Sequence, residues 1–225
     1  MFHTSLKPPI IETIPLLRKS KPKVWIEAYG CSANMADSEM ISGLLKEAGY
    51  EIATKKSEGA LNLIVTCSVK DTTEHRMMSR IKNMTKSGKP LIVAGCLPKA
   101  DRAKVEAITS SASLLGPNCI DKVPNAVRQA LLGGRLVELR DSPLDKVNIP
   151  RIRLNSAVSI VEIASGCMSQ CTFCQTKIAK GWLRSYRVGD IVRQIKSDIQ
   201  SGCQEVWLSS TDNGCYGRDI GTNLV

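Results

Sequence analysis

The chain has 225 residues, 43% of them hydrophobic, and a formal net charge of +10. This composition excludes a disordered chain and allows one large or two modest globular domains. The absence of an apolar run of about 18 residues excludes a membrane-spanning helix, and the positive charge favours a polyanionic partner such as nucleic acid.

The first 21 residues precede the first predicted strand. They lack the apolar block and the cleavage site of a signal peptide, so we interpret residues 1–21 as a flexible leader and expect a cytoplasmic protein. The chain contains nine cysteines. Because the cytosol keeps thiols reduced, this number favours metal or redox chemistry over a disulfide framework.

Residues 22–134 alternate short β-branched runs with helical patterns. Strands are predicted at 23–29, 61–66, 90–94 and 113–115, and helices around 40–48, 77–84 and 122–132. This alternation predicts an α/β domain with a doubly wound parallel sheet and helices on both faces. Asn34 is predicted to cap the first helix, and Asp37 and Glu39 to lie in its first turn.

A polar, proline-punctuated linker is predicted at residues 135–154, followed by a second α/β unit at 155–225. This unit has predicted strands at 157–163 and 205–209, with a helix near 188–201 between them. A parallel sheet of only two strands lacks the adjacent strands and the covering helices that it needs to be stable. We therefore expect the second domain to be incomplete in this chain, and to be continued in a longer protein or completed by something else.

Three cysteines lie within eight residues directly after the strand at 157–163, namely Cys167, Cys171 and Cys174. Thiolates at this spacing can bind three irons of one cubane cluster and leave the fourth iron open for a cofactor or substrate. A zinc site would need a fourth ligand nearby, and no histidine follows His75. Zinc and three unrelated buried cysteines remain the weaker alternatives.

A second set of cysteines is dispersed in the sequence but has a common context. Cys31, Cys67 and Cys96 each follow a predicted parallel strand. Because the carboxyl ends of parallel strands lie along one edge of a sheet, the three side chains can converge where such folds bind ligands. A second metal site is the hypothesis, and ordinary buried cysteines are the alternative.

Other candidate residues have simpler interpretations. His3 and His75 lack partners at ligand spacing and are interpreted as surface residues. The remaining cysteines are interpreted as small buried or half-buried residues: Cys119, Cys203 and Cys215. A basic run follows the cysteine loop and either forms a solvated face or contacts a phosphate or a cofactor carboxylate: Lys177, Lys180, Arg184 and Arg187.

The CxxxCxxC loop after the first strand of a βα unit resembles the radical S-adenosylmethionine superfamily. The resemblance implies that residues 155–225 begin a partial (β/α) barrel. It also implies that Cys167, Cys171 and Cys174 hold a [4Fe-4S] cluster whose open iron binds S-adenosylmethionine. Reductive cleavage of that cofactor yields a radical that abstracts hydrogen from an unreactive carbon.

Three motifs in the first domain resemble the methylthiotransferases: Tyr29-Gly30-Cys31, Thr66-Cys67-Ser68-Val69 and Ala94-Gly95-Cys96-Leu97-Pro98. This resemblance implies a second, auxiliary [4Fe-4S] cluster on Cys31, Cys67 and Cys96 that takes part in sulfur insertion. Residues 205–212 and 216–224 are similar to the archaeal and eukaryotic branch. Members of that branch methylthiolate N6-threonylcarbamoyladenosine next to the anticodon of tRNA.

The resemblance implies an enzyme that acts on tRNA and needs an electron donor and a sulfur source, both unidentified. The alternatives are methylthiolation of another tRNA base or of a ribosomal protein, and a non-catalytic iron-sulfur module. This sequence departs from the family pattern at two places. Lys180-Gly181 stands where many relatives have Arg-Gly. Residues 209–212 replace the glycine-rich turn that meets the amino group of S-adenosylmethionine in many members of the superfamily, which leaves Asp212 as a candidate cofactor-binding residue. The remaining barrel and the RNA-binding domain usual in the family are absent, so we expect this chain alone to be inactive.

Overall fold

The computed structural model describes residues 22–68, 71–141 and 144–225, with the backbone only for residues 71–73. The predicted leader at 1–21 lies outside the described residues. Six strands form one entirely parallel sheet in the order β2-β1-β3-β4-β5-β6. Their bounds are β1 (Lys23–Ala28), β2 (Glu51–Ile52), β3 (Leu61–Thr66), β4 (Leu91–Gly95), β5 (Ser113–Leu115) and β6 (Val137–Glu138).

Helices cover both faces of this sheet. They are α1 (Ser32–Glu47), α2 (Asp71–Thr85), α3 (Cys96–Ala100), α4 (Arg102–Glu106) and α5 (Val123–Leu131). Met40 of α1 and Val127 of α5 pack in the core on one face, whereas Ile81 of α2 and Val105 of α4 pack on the other. The predicted doubly wound α/β fold is confirmed. Every residue of β3 and β4 is buried, as expected for central parallel strands covered on both sides.

The start of α1 differs from the prediction. The helix begins at Ser32, after Cys31 in an extended conformation, and Asn34 makes no capping bond. The prediction that Asn34 is the cap is therefore wrong. Asp37 and Glu39 do not lie in the first turn either, because the helix starts earlier than predicted, and both are almost fully buried, at 0% and 2% exposure.

The segment predicted as a linker takes part in the first sheet. Val137 and Glu138 form β6, which pairs with β5. Further along, Lys146 is fully buried, and the amide of Ile152 donates to the Glu39 carbonyl over 3.0 Å. The segment thus packs along α1. The domain boundaries themselves remain a prediction.

The second unit contains β7 (Val158–Glu162), β8 (Ala164–Ser165), α6 (Gln175–Lys180), β9 (Arg184–Ser185), α7 (Val188–Gln200) and β10 (Glu205–Ser209). β7 and β10 pair in parallel, and β8 and β9 pair antiparallel on either side of the cysteine loop. The predicted strands and the helix α7 are confirmed. β2, β8, β9 and the helices α3, α4 and α6 were not predicted, because each is too short to show a periodic pattern.

Within residues 22–68, 71–141 and 144–225, no helix combines the length and the apolar character that crossing a bilayer would require.

Candidate metal centres at the facing sheet edges

The dispersed cysteines lie at one edge of the six-stranded sheet. Cys67 directly follows β3, Cys96 directly follows β4, and Cys31 lies three residues beyond β1. Chain order reverses between β1 and β3, which makes this edge the topological switch point where doubly wound folds bind ligands. Cys67 and Cys96 are buried and Cys31 is exposed, so the group extends from the interior to the surface of the protein.

Asn34 connects the ends of the three strands. Its side-chain amide donates to the carbonyl of Tyr29 over 2.9 Å and to the carbonyl of Thr66 over 3.0 Å. Its Oδ1 lies 3.9 Å from the thiols of both Cys31 and Cys96. A fully buried asparagine in α1 thus fixes the ends of β1 and β3 and contacts two of the three cysteines.

Replacing Asn34 by Ala is expected to lower the free energy of unfolding by about 1–3 kcal/mol, because the Tyr29 and Thr66 carbonyls lose their donor inside the protein. Urea denaturation of purified protein measures this change. Asn125 is the control because its side chain accepts one exposed bond from Arg128. Asn125→Ala should change the free energy by no more than about 0.5 kcal/mol. Equal effects of the two substitutions would contradict the assigned role of Asn34.

Gly30 allows the end of β1 to approach Cys67 closely. Its φ is +118°, and a Cβ at this position would lie 2.7 Å from Cys67 Cβ and 3.2 Å from its sulfur. A residue with a side chain would be strained here and would displace Cys67. The glycine therefore belongs to the geometry that brings the two cysteines together.

The second group of cysteines lies on the loop between β8 and α6. The Cys167 amide donates to the Gly181 carbonyl over 3.2 Å, and the Cys174 amide donates to the Cys171 carbonyl over 3.1 Å. The amide of Ser169 donates to the Cys167 sulfur over 3.4 Å. Cys171 is exposed, and Cys167 and Cys174 are half-buried.

The chemistry of these donors suits iron-sulfur clusters. All nine cysteines lie in the described part of the chain and are free thiols. Among the described residues, no three His, Cys, Asp or Glu side chains are close enough to hold a single metal ion. In a cubane cluster each thiolate binds a different iron, so its ligands are more widely spaced than those of one ion. Two groups of three thiols, one at the ends of parallel strands and one on the loop between β8 and α6, fit that donor set.

The basic run after the loop is only partly solvated. Lys180 is buried, and Arg184 donates to the Leu144 carbonyl. Lys177 donates to the Cys167 carbonyl and lies 3.4 Å above the centre of the Trp182 ring. Three of the four basic side chains thus contact the loop or its surroundings, which argues against the solvated face among the two interpretations; contact with a phosphate or a cofactor carboxylate stays a prediction.

Asp212 is engaged in a local turn. It accepts bonds from the Gly214 amide over 3.0 Å and from the Cys215 thiol over 2.9 Å. The bond from the Cys215 thiol, together with that from the Gly214 amide, lowers the pKa of Asp212, and the bond to Asp212 raises the pKa of Cys215. Its role toward a cofactor stays a prediction. Cys119 and Cys203 are buried and Cys215 is half-buried, as predicted.

A buried network of four charges lies between the two cysteine groups. Lys146 Nζ is 2.6 Å from Asp37 Oδ1 and 3.1 Å from Glu162 Oε2. Lys180 Nζ is 3.1 Å from Glu162 Oε1. No side chain of the four is more than 3% exposed. We refer to Asp37, Lys146, Glu162 and Lys180 as the buried tetrad.

The ionised forms in the buried tetrad stabilise one another. Burial opposes the charge on Lys146, but the carboxylates of Asp37 and Glu162 raise the pKa of Lys146 above its usual value. Burial also opposes the charge on Glu162, and the two ammonium groups more than reverse this and lower its pKa. Two positive and two negative charges balance within the network. Sequence reasoning missed it; the one available signal was the acidic Glu162 at the end of the mostly apolar strand β7.

The edges of the two sheets face each other. The hydroxyl of Ser32, next to Cys31, lies 2.7 Å from the hydroxyl of Ser209 at the end of β10. α3, which begins at Cys96, packs against α6, which follows Cys174. The structure therefore places the carboxyl ends of β1 and β10 side by side, with both cysteine groups at this junction.

Comparison with known proteins shows which sequences and folds the chain resembles. Residues 23–116 match a family described as Uncharacterized protein family UPF0004. The chain is 43% identical over 206 residues to a probable threonylcarbamoyladenosine tRNA methylthiotransferase of Pyrococcus abyssi, which covers 90% of this chain and 48% of that relative. The predicted resemblance is confirmed. The human threonylcarbamoyladenosine tRNA methylthiotransferase is 36% identical over 225 residues, covering 96% of this chain and 38% of the human protein.

The chain thus spans about half the length, or less, of the curated relatives it matches. Among solved structures, it is similar to the radical S-adenosylmethionine methyltransferase TsrM from Kitasatospora setae, with a TM-score of 0.61 at 10% identity. The similarity covers 89% of this chain and 49% of the TsrM chain. At this identity the likeness concerns the fold alone, and it supports the predicted α/β architecture.

Proposed function

We propose that this chain is the cluster-binding part of a tRNA methylthiotransferase that converts N6-threonylcarbamoyladenosine to its 2-methylthio derivative. The observation that carries the proposal is the junction of the two sheets, where three free thiols lie at the ends of parallel strands and three more on the loop between β8 and α6. The names of the relatives, which match along 90% or more of this chain, support the choice of substrate.

Each cysteine group would hold one [4Fe-4S] cluster. The cluster whose open iron takes S-adenosylmethionine would be bound by Cys167, Cys171 and Cys174. The auxiliary cluster would be bound by Cys31, Cys67 and Cys96. When bound, the cluster on Cys167, Cys171 and Cys174 would supply the electron that cleaves S-adenosylmethionine. The auxiliary cluster would take part in sulfur insertion. Asp212 remains a candidate contact to the cofactor.

The chain's own residues would position these groups. Gly30 and Asn34 hold the ends of β1 and β3 beside Cys67 and Cys96. The backbone bond from Cys167 to Gly181 fixes the start of the second loop. Ser32 and Ser209 keep the two edges together, which suits chemistry that must break a C–H bond and deliver sulfur to the same carbon.

The proposed partners follow from the substrate. A net charge of +10 suits a polyanionic RNA, and a tRNA substrate suits a cytoplasmic location. The reaction also requires an electron donor and a sulfur source, which we propose are separate components.

Iron and sulfide analysis after anaerobic reconstitution tests the two-cluster assignment. Replacing Cys167, Cys171 and Cys174 together by Ser should remove about half of the bound iron, because each [4Fe-4S] cluster holds the same amount. Replacing Cys31, Cys67 and Cys96 should remove the other half. The buried Cys119 lies outside both groups and provides the control, so Cys119→Ser should retain all the iron. Full iron retention in either triple variant would refute the assignment.

Mass spectrometry of tRNA nucleosides tests the substrate. Cells lacking the gene should lose 2-methylthio-N6-threonylcarbamoyladenosine and accumulate the unmodified precursor. Reintroducing the full-length gene should restore the product, whereas the Cys171→Ser version should not. If the nucleoside is unchanged and a different methylthio group is lost, the substrate assignment is wrong although the reaction class stands. If no methylthio group is lost, the proposed activity is refuted.

A further inference from the structure

Trp182 is an exposed aromatic residue on the surface around the loop that connects β8 and α6. It lies two residues beyond α6 and is 64% exposed. Three other large apolar residues of this loop and helix are also exposed, at 44%, 86% and 58%: Met168, Phe173 and Ile178. Single exposed apolar residues need no explanation, but four of them between residues 168 and 182 indicate a binding surface.

The backbone of Trp182 is fixed against the start of this loop. The Cys167 amide donates to the carbonyl of Gly181, the residue before Trp182, over 3.2 Å. Gly166 has a φ of +78°, and a Cβ there would lie 2.1 Å from the Trp182 carbonyl oxygen. Only a glycine permits this approach. Trp182 therefore lies directly beside the loop that carries Cys167, Cys171 and Cys174.

One face of the Trp182 ring is occupied by a cation. Lys177 Nζ lies 3.4 Å from the ring centre and also donates to the Cys167 carbonyl. Both partners are neutral groups, so these contacts leave the charge of Lys177 uncompensated. Because Lys177 covers one face of the ring, the exposed area belongs to the opposite face and the edges. This area is available for stacking of a second planar group.

A cavity of about 340 Å³ lies beside Trp182. Both units contribute to its walls, with Asn118 and Asp141 from the first and Ser165 and residues 180–184 from the second. The Asn118 side chain joins these walls, because it donates to the Lys180 carbonyl over 3.2 Å and accepts from the Ser165 hydroxyl over 3.3 Å. The volume is at the lower end of the range for small-molecule sites, which suits a single planar ring.

The surface around the ring is basic. The sequence between Glu162 and Asp190 contains four basic residues and no acidic one. Of the four, Lys180 is neutralised by Glu162. Asp141 in the cavity wall is paired with Lys99. An open aromatic face within a positively charged surface suits a ligand that combines a planar ring with an anionic group, as a nucleotide of single-stranded RNA does.

S-adenosylmethionine also contains a base, but the surface fits it less well. Its adenosine carries a cationic sulfonium group, which the uncompensated charge of Lys177 would repel. The phosphates of an RNA strand would be attracted instead. Charge therefore favours a base of RNA over the base of the cofactor.

We propose that Trp182 stacks on an unpaired base of the RNA substrate and holds it beside the loop that carries Cys167, Cys171 and Cys174. The choice of RNA as the ligand rests on the proposed function. Unpaired bases of RNA are commonly bound by stacking on aromatic side chains. A base held here would place its neighbours in the same strand close to the loop. Trp182 is thus a residue that positions the substrate and takes no part in the chemistry.

Fluorescence anisotropy of a labelled single-stranded oligoadenylate, titrated with the anaerobically reconstituted chain, tests this contact. Trp182→Ala should weaken binding about 5-fold to about 150-fold, which corresponds to the loss of one stacked base. Trp182→Phe keeps an aromatic ring and should restore most of the affinity. Trp207 of β10 is 47% exposed and donates to Glu205. Trp207→Ala therefore removes another accessible indole and is the matched control, with unchanged affinity expected.

The salt dependence of binding separates stacking from a general disturbance of the basic surface. The slope of the logarithm of the affinity against the logarithm of the salt concentration reports how many phosphates are neutralised. An indole neutralises none, so Trp182→Ala should lower the affinity and leave the slope unchanged. A flatter slope in Trp182→Ala would show that the variant disturbs the charged surface and would contradict a stacking role.

Three further results would overturn the inference on Trp182. They are equal affinities of Trp182→Ala and Trp207→Ala, no measurable binding of the oligoadenylate by the parent chain, and displacement of the oligoadenylate by S-adenosylmethionine. None of them refutes the proposed function, which is decided separately by iron content and tRNA nucleosides. Conversely, weaker binding by Trp182→Ala would support the base contact even if the nucleoside measurement refuted the proposed reaction.

Discussion

Replacing Lys146 by Met is expected to lower the free energy of unfolding by about 3–5 kcal/mol. The side chain is fully buried and pairs with Asp37 at 2.6 Å and with Glu162 at 3.1 Å. Met has a similar volume but no charge, so the substitution leaves two buried carboxylates with one remaining cation, Lys180. The main cost is the uncompensated negative charge and not a cavity. Urea denaturation of the purified chain measures it.

The pH dependence of Lys146→Met distinguishes this charge effect from a packing defect. Burial already raises the pKa of Asp37, and Lys146 opposes that rise; Glu162 raises it further, and Lys180 lowers it. Loss of Lys146 should raise the pKa of Asp37 again. A carboxyl whose pKa is higher in the folded than in the unfolded state costs stability above its folded pKa, and this cost disappears as pH falls. The deficit relative to the parent should therefore shrink as the pH falls from neutral toward the ordinary pKa of an aspartate.

Two controls accompany the Lys146 variant. Lys146→Met combined with Asp37→Asn removes a cation and an anion together, and should recover most of the lost stability. Lys23→Met breaks the exposed pair with Glu58 and should cost no more than about 1 kcal/mol. A deficit in Lys146→Met that is the same at every pH and is not recovered by Asp37→Asn would show that packing, not charge, dominates.

The central strands and the cysteines at their ends could be predicted because their signals are local. β3 and β4 are continuous buried runs, and the residue after each is a cysteine. Parallel pairing then requires that these cysteines share an edge. The two-residue strand β2 and the short helices α3 and α4 are too short to show a periodic pattern of hydrophobic residues. They form because neighbouring elements pair with them or pack on them.

The buried tetrad could not be predicted, because its partners are remote in sequence. Lys146 and Asp37 are 109 residues apart, and Lys146 lies in a segment whose polar, proline-punctuated sequence is typical of a linker. Asp37 and Glu39 have the composition of an exposed helix start, but residues 150–154 pack along α1 at Glu39, and Lys146 pairs with Asp37 in the interior. A charged residue in a sequence does not by itself indicate whether tertiary packing will provide a partner.

Gly95→Ala is expected to disrupt the auxiliary cysteine group. Gly95 has a φ of +97°, a conformation that side-chain-bearing residues rarely adopt, and it lies directly before Cys96. A Cβ here would lie 2.4 Å from the carbonyl oxygen and 2.8 Å from the amide nitrogen of Thr66. Both are backbone atoms of β3, paired with Gly95 in the parallel register, so they cannot move aside without displacing the strand.

The expected loss of unfolding free energy for Gly95→Ala is about 2–6 kcal/mol, from a strained backbone and an overpacked strand pair, each about 1–3 kcal/mol. Gly88→Ala is the matched control: its φ is also positive, at +70°, but nothing lies within 4 Å of the added Cβ. That control should show only the backbone cost, about 1–2 kcal/mol.

Iron analysis gives a second measurement of the effect of Gly95→Ala. If β4 shifts relative to β3, Cys96 moves away from Cys67, and Gly95→Ala should lose the iron of the auxiliary site while Cys167, Cys171 and Cys174 retain theirs. Normal stability with full iron content would contradict the close approach of β3 and β4 on which the arrangement of this site depends.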